Sequence, residues 1–211
     1  MSASLDHVVI GGTDLGLLVA WWRRQTGVDP ARGGVHEGFG TRNALIGVDD
    51  ATYVELISHD PGQPEPAQPR PFGIDDLEPG SLQLCTFVLA VGDIAEATDA
   101  VKDVGLDPGP VRAMHRTRSD GTELRWELAI PAQPGMRGTL PALIQWGPDT
   151  PHPGSTLEHS VVVEEIIVGH PHPDPLRAAL AAIGADIDVG ETSEPVLAAH
   201  FSVPGGTDFW L

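Results

Sequence analysis

The sequence predicts an α+β fold of tandem βαβββ modules followed by a shortened third βαββ unit. Three observations predict it. Three amphipathic stretches, 14–27, 93–105 and 174–184, each begin with Asp and end with Gly. They recur at intervals of about 80 residues, the mark of a repeated supersecondary unit. Each follows an apolar, strand-like run and precedes further runs of that kind.

The elements are justified in chain order. LDHVVIGG at 5–12 reads as the first strand. The following helix places Leu15, Leu18, Val19 and Trp22 on one face. Asp14 suits its start, because a carboxylate accepts an orphan backbone N–H, and Gly27 suits its end, because glycine takes the left-handed conformation. RNALIGV at 42–48 and TYVELIS at 52–58 complete the module. Residues 60–80 hold six prolines and read as an extended connector. LQLCTFVLAV at 82–91 opens the second module. Its helix aligns Ile94, Ala97, Val101 and Val104, with Glu96 three residues after Asp93 as a capping box requires. ELRWELAI at 123–130 and PALIQW at 141–146 are its later strands. After the Pro/Gly-rich GPDTPHPGS comes SVVVEEIIVG at 160–169, then a helix with Asp174 as cap, Pro175 at its first position, and Leu176, Ala179, Leu180 and Ile183 on one face. VLAAHFSV at 196–203 and TDFWL at 207–211 end the third unit. The expected boundaries are 1–60, 61–80 (connector), 81–150 and 151–211, all within one domain.

Composition excludes several classes of function. The chain has 211 residues, 12 basic and 30 acidic, for a net charge of −18. A chain this acidic repels polyphosphate and anionic membrane surfaces, so neither a nucleic-acid nor a membrane partner is expected. A hydrophobic content of 41% is too high for a disordered acidic tail. No apolar run approaches the ~20 residues of a membrane helix, and the N-terminus lacks the pattern of a secretory signal. One cysteine, Cys85, sits in an apolar run and reads as a core thiol. A cytoplasmic protein is the expectation.

Candidate chemistry comes from alternation along the strands. Leu5, His7 and Val9 share one face, and Tyr53, Glu55 and Ile57 share another. An imidazole and a carboxylate on strands of one module are ordinary ligands for Zn, Fe, Mn or Ni; they also form plain polar pairs in a core. Arg112, Arg116, Arg118 and Arg125 gather a third of the basic residues near His115. They read either as a clamp for a carboxylate or phosphate, or as strand decoration paired with surplus acid. Trp126, Trp146 and Phe39 are candidate pocket walls or ordinary core. His152, His170 and His172 sit among prolines as turn residues, while His159 and His200 have no evident partner. There is no phosphate-binding glycine loop and no G-x-S-x-G elbow.

LDHVVIGGTDL…YVELI resembles the vicinal oxygen chelate superfamily of glyoxalases, extradiol dioxygenases and bleomycin-resistance proteins. GGVHEGFGTRNALIGVDDATYVELI, with its G-x-H-x-G-x-G-T-x-N stretch, resembles glyoxalase-like domain proteins, as do RTRSDGTELRWELA and LPALIQWGPDTPHP. The resemblance implies mixed sheets that curl around a cleft, a small-molecule substrate or ligand, and pairing into a homodimer. It places His7 and Glu55 at the metal-ligand positions of the first module and Gln145 at the Glu55 position of the second. The second-module counterpart of His7 falls near Thr86, which departs from the four-ligand pattern. His36, in the Gly-rich stretch, is a further candidate ligand, and Asn43 at its end a candidate substrate contact. The implied function is a metal-dependent isomerase, lyase or dioxygenase acting on vicinal oxygens, with Zn, Ni, Mn or Fe bound, or with Glu55 as a metal-free base. The alternative is a non-catalytic sequestering protein.

Overall fold

A computed structural model describes residues 1–117, 121–132 and 136–211. Its elements are β1 (Ser4–Gly12), α1 (Leu15–Thr26), β2 (Ala31–His36), β3 (Thr41–Asp49), β4 (Thr52–His59), β5 (Leu82–Ala90), α2 (Ile94–Asp103), β6 (Val111–Thr117), β7 (Glu123–Ala129), β8 (Ala142–Trp146), β9 (Val162–His170), α3 (Pro173–Ala182), β10 (Val189–Glu191), β11 (Val196–Ser202) and β12 (Phe209–Trp210). The order βαβββ therefore occurs three times. The third copy gains one strand over expectation: β10 spans three residues, VGE, too short to show alternation.

Eight strands hydrogen-bond in the order β2-β3-β4-β1-β5-β8-β7-β6, and four in the order β10-β9-β11-β12. Pairs β2–β3, β3–β4, β6–β7, β7–β8 and β11–β12 are antiparallel, whereas β5–β8 and β9–β10 are parallel. The sheets are mixed and the fold is α+β. No helix among the described residues is long and apolar enough to cross a membrane.

The helix ends follow the expected chemistry twice. The Asp14 carboxylate accepts from the Leu17 N–H at 3.1 Å and Asp93 from the Glu96 N–H at 2.9 Å. In α3 the boundary shifts. His172 occupies the cap position, Pro173 opens the helix, and Asp174 lies inside the first turn, where it pairs with Arg177 at 3.1 Å. Gly27, Gly105 and Gly184 all take positive φ just past the helices, as the Asp-to-Gly pattern implied.

The chain divides into two compact units. The first-module unit comprises residues 8–85, 152–165 and 199–211; the second-module unit comprises 1–7, 86–151 and 166–198. In the first-module unit α1 packs on β3 and β4. Its Trp22 is fully buried, edge-on to Phe201 at 5.7 Å and to Phe209 at 5.9 Å. In the second-module unit α2 packs on β6, β7, β8 and α3, burying Ile94, Ala97 and Val101 together with Leu176, Ala179 and Leu180.

The Pro-rich connector is tied down within the first-module unit. Arg70 donates to Glu65 through both terminal nitrogens at 2.9 Å, to Asp75 at 2.7 Å, and to the Gly40 carbonyl at 3.0 Å. These partners hold the guanidinium well above its ordinary pKa, the Glu65 hydrogen bond first. Prolines reduce the chain entropy the connector loses on ordering, and one half-buried Arg fork supplies the anchor.

Candidate functional site

In the first-module unit three candidate residues meet on one face of β2, β3 and β4. Antiparallel pairing puts Leu45 opposite Glu55 and Asn43 opposite Ile57, so Asn43 and Glu55 are diagonal neighbours. His36 stands opposite Thr41, and a register irregularity between Arg32 and Val35 lies just before it. Asn43 Nδ2 donates to Glu55 Oε1 at 2.6 Å and lies 3.2 Å from His36 Nε2. His36 Nδ1 lies 2.9 Å from Thr41 Oγ1. Asn43 Oδ1 accepts from the Gly34 N–H at 2.8 Å. Glu55 is 5% exposed and Thr41 fully buried. Nearby, burial pushes the Cys85 thiol up to about 11; a backbone N–H from Gly11 opposes this, and the Glu55 charge reinforces it. Phe39 is half-buried in the β2–β3 turn, with its N–H on the His36 carbonyl at 3.1 Å.

In the second-module unit His7 has a partner that strand alternation did not suggest. Asp6 Oδ1 and His7 Nδ1 are 2.6 Å apart although the residues are sequence neighbours. The other Asp6 oxygen accepts from Trp146 Nε1 at 2.7 Å. Asp6 is 1% exposed and His7 4%. A carboxylate on Nδ1 fixes an imidazole's orientation and turns its Nε2 away from that carboxylate. Trp146 stands opposite Trp126, with ring centroids 5.5 Å apart.

The arginines do not form one cluster. Arg112 is opposite Leu128, Met114 opposite Trp126 and Arg116 opposite Leu124, which puts both arginines on the Trp126 face of β6 and β7. Arg125 is opposite His115 on the other face, exposed, and paired with Glu123 at 2.8 Å. Arg118 lies outside the described residues.

Gln145 and the His36–Glu55 pair do not offer a divalent metal the lone pairs it needs. Gln145 Oε1 accepts from the Ile94 N–H at 2.8 Å, so the oxygen meant for a metal serves as a second cap of α2. Its strand neighbour Trp146 occupies the opposite face. Between His36 Nε2 and Glu55 Oε1, 3.8 Å apart, Asn43 presents amide hydrogens. Metal coordination needs lone pairs there. Among the described residues no group of three or more His, Cys, Asp or Glu side chains is arranged to hold a metal ion.

Comparison with known proteins agrees with the architecture. The family model described as "Glyoxalase-like domain" matches residues 5–184. The chain belongs to this family, within the vicinal oxygen chelate superfamily, and is thus a small-molecule enzyme or binder of that superfamily. Among solved structures, a hypothetical protein from Staphylococcus aureus superposes with a TM-score of 0.66 at 14% identity, over 92% of this chain and 88% of its own. A methylmalonyl-CoA epimerase variant from Streptomyces coelicolor, in complex with 2-nitronate-propionyl-CoA, has a TM-score of 0.47 at 20% identity, over 72% and 100%. The Mycobacterium tuberculosis methylmalonyl-CoA epimerase has 0.42 at 18%, over 67% and 85%. None of the curated proteins matches the sequence.

Proposed function

We propose that the chain is an isomerase or lyase in which Glu55 accepts a proton from a carbon beside vicinal oxygens of a small substrate. The observation that carries this reading is the buried Glu55 carboxylate held by the Asn43 amide at 2.6 Å, with His36 adjoining. A general base works from a fixed position, and the Asn43 amide on one carboxylate oxygen helps to fix it. The C–H electron pair would move into the adjacent carbonyl as an enolate while the proton goes to Glu55. A divalent metal, though common in the superfamily, has no step in this proposal, because Asn43 turns donors toward the position a cation would take.

The test is proton exchange in D2O with α-hydroxy ketones and 2-hydroxy acids as probes, followed by proton NMR. The wild type is expected to exchange the C–H of at least one probe, and Glu55→Gln to lose the exchange by about 100-fold or more. Equal exchange in both proteins would overturn the assignment. A second reading, a non-catalytic sequestering protein, rests on a separate observation. The Trp126–Trp146 pair shares its face with Arg112 and Arg116, the makings of a surface for an aromatic or apolar anion. Binding without exchange, retained in Glu55→Gln and weakened in Trp126→Ala, would favour it.

A further inference from the structure

Asn43 has an oxygen and two amide hydrogens, and all of them are engaged. The orientation of this amide is chemically determined. Only an oxygen can accept the Gly34 N–H at 2.8 Å, so the NH2 group must face Glu55 and His36. His36 Nε2 then acts as an acceptor, which places the ring proton on Nδ1, directed at Thr41 Oγ1.

The backbone is shaped for this arrangement. A Cβ at Gly33 would overlap the Asn43 side-chain oxygen and crowd its backbone oxygen. Two successive glycines, at the register irregularity of β2, let that strand come close enough for Gly34 to anchor the amide.

We infer that Asn43 is a specificity-determining residue that excludes divalent cations from the His36–Glu55 pair. Its N–H groups occupy the lone pairs that Glu55 Oε1 and His36 Nε2 turn toward each other, and the carboxylate is kept for proton transfer. The last clause rests on the function proposed above; the exclusion itself does not. Replacing the amide by a carboxylate reverses the chemistry: Asn43→Asp sets two carboxylates and an imidazole around one point, an ordinary ligand set for Zn or Mn.

The experiment uses the full chain, chelator-treated, at pH 8. His36 ring nitrogens are followed by long-range 1H–15N correlation while Mn2+ or Zn2+ is added. Wild-type His36 is expected to carry its proton on Nδ1, and substoichiometric Mn2+ to leave its ring signals sharp. Asn43→Asp is expected to bind Zn2+ at least about tenfold more tightly than the wild type, with Mn2+ now broadening His36. A wild-type His36 protonated on Nε2 or broadened by Mn2+, or an Asn43→Asp variant with unchanged affinity, overturns the inference. Should Asn43→Asp fail to fold, Gly33→Ala is read instead. It displaces the amide and is expected to shift the His36 tautomer; an unchanged tautomer counts against the inference. None of these readouts needs a substrate, so they fail or hold independently of the exchange assay.

Discussion

Single residues decide what each corner of this molecule can do, and Cys85 is the plainest case. Its thiol is buried, and burial with the nearby Glu55 charge pushes its pKa from 9.0 up to about 11. The folded chain therefore holds this proton more tightly than the unfolded chain. Stability is fully present below pH 9 and falls as pH rises through 11, by about 2–3 kcal/mol once the shift is spanned. Urea midpoints at pH 8 and pH 11.5 check this: the wild type is expected to lose more stability than Cys85→Ala over that interval. Asp6 shows why residue-scale reading stops short. Alternation sends Asp6 and His7 to opposite faces, so pattern alone does not pair them, yet the two side chains lie 2.6 Å apart. Gln145 was read from its place in a motif. One position of alternation decides the matter, since its neighbour Trp146 shares the Trp126 face and Gln145 turns to the start of α2.

At the scale of elements, the connector is held by the Arg70 fork. Glu65 is kept below its ordinary pKa by the Arg70 hydrogen bond. For Asp75, burial alone would raise the value, but the Arg70 N–H and guanidinium more than offset it, and the net shift is downward. Depressed carboxylates contribute stability above their unfolded pKa values, 4.5 and 3.8, and lose it as pH falls through the folded ones. Thermal melts between pH 5 and pH 3 are expected to fall more steeply for the wild type than for Arg70→Ala, which has already lost the pairs. Helices, their caps and most strands were legible in the sequence because local chemistry specifies them: Asp at one end, Gly at the other, and an apolar face between. The start of α3 was not. Pro173 competes with Pro175 for the first helical position, and the earlier proline wins, leaving His172 rather than Asp174 at the cap. Strands β2 and β6 were also faint. ARGGVH carries two glycines, and VRAMHRT alternates Arg with small or polar residues instead of a clear apolar face.

For the whole molecule, 30 acidic against 12 basic residues leaves a self-repelling chain. Repulsion of this kind is screened by salt, with a Debye length of about 10 Å at 0.1 M. Raising NaCl from about 10 mM to 150 mM is expected to raise Tm. A fall would mean that specific ion pairs such as Arg70–Glu65 outweigh the net charge. The charge was fully legible in the sequence and so was the repeat. The grouping of side chains was legible only in part. His36, Asn43 and Glu55 were all picked out, but the direction of one amide, which gives the trio its chemistry, depends on a backbone N–H that no motif records.

The division into units also bears on how the chain is made. Each unit draws on three separate stretches, and the last of them are residues 166–198 in one case and 199–211 in the other. A ribosome delivers residues in order, at about 5–20 per second. Neither unit can close when its own module has emerged; each waits for material from the third copy. The first module spends that interval as an incomplete sheet, with strand edges exposed to mispairing.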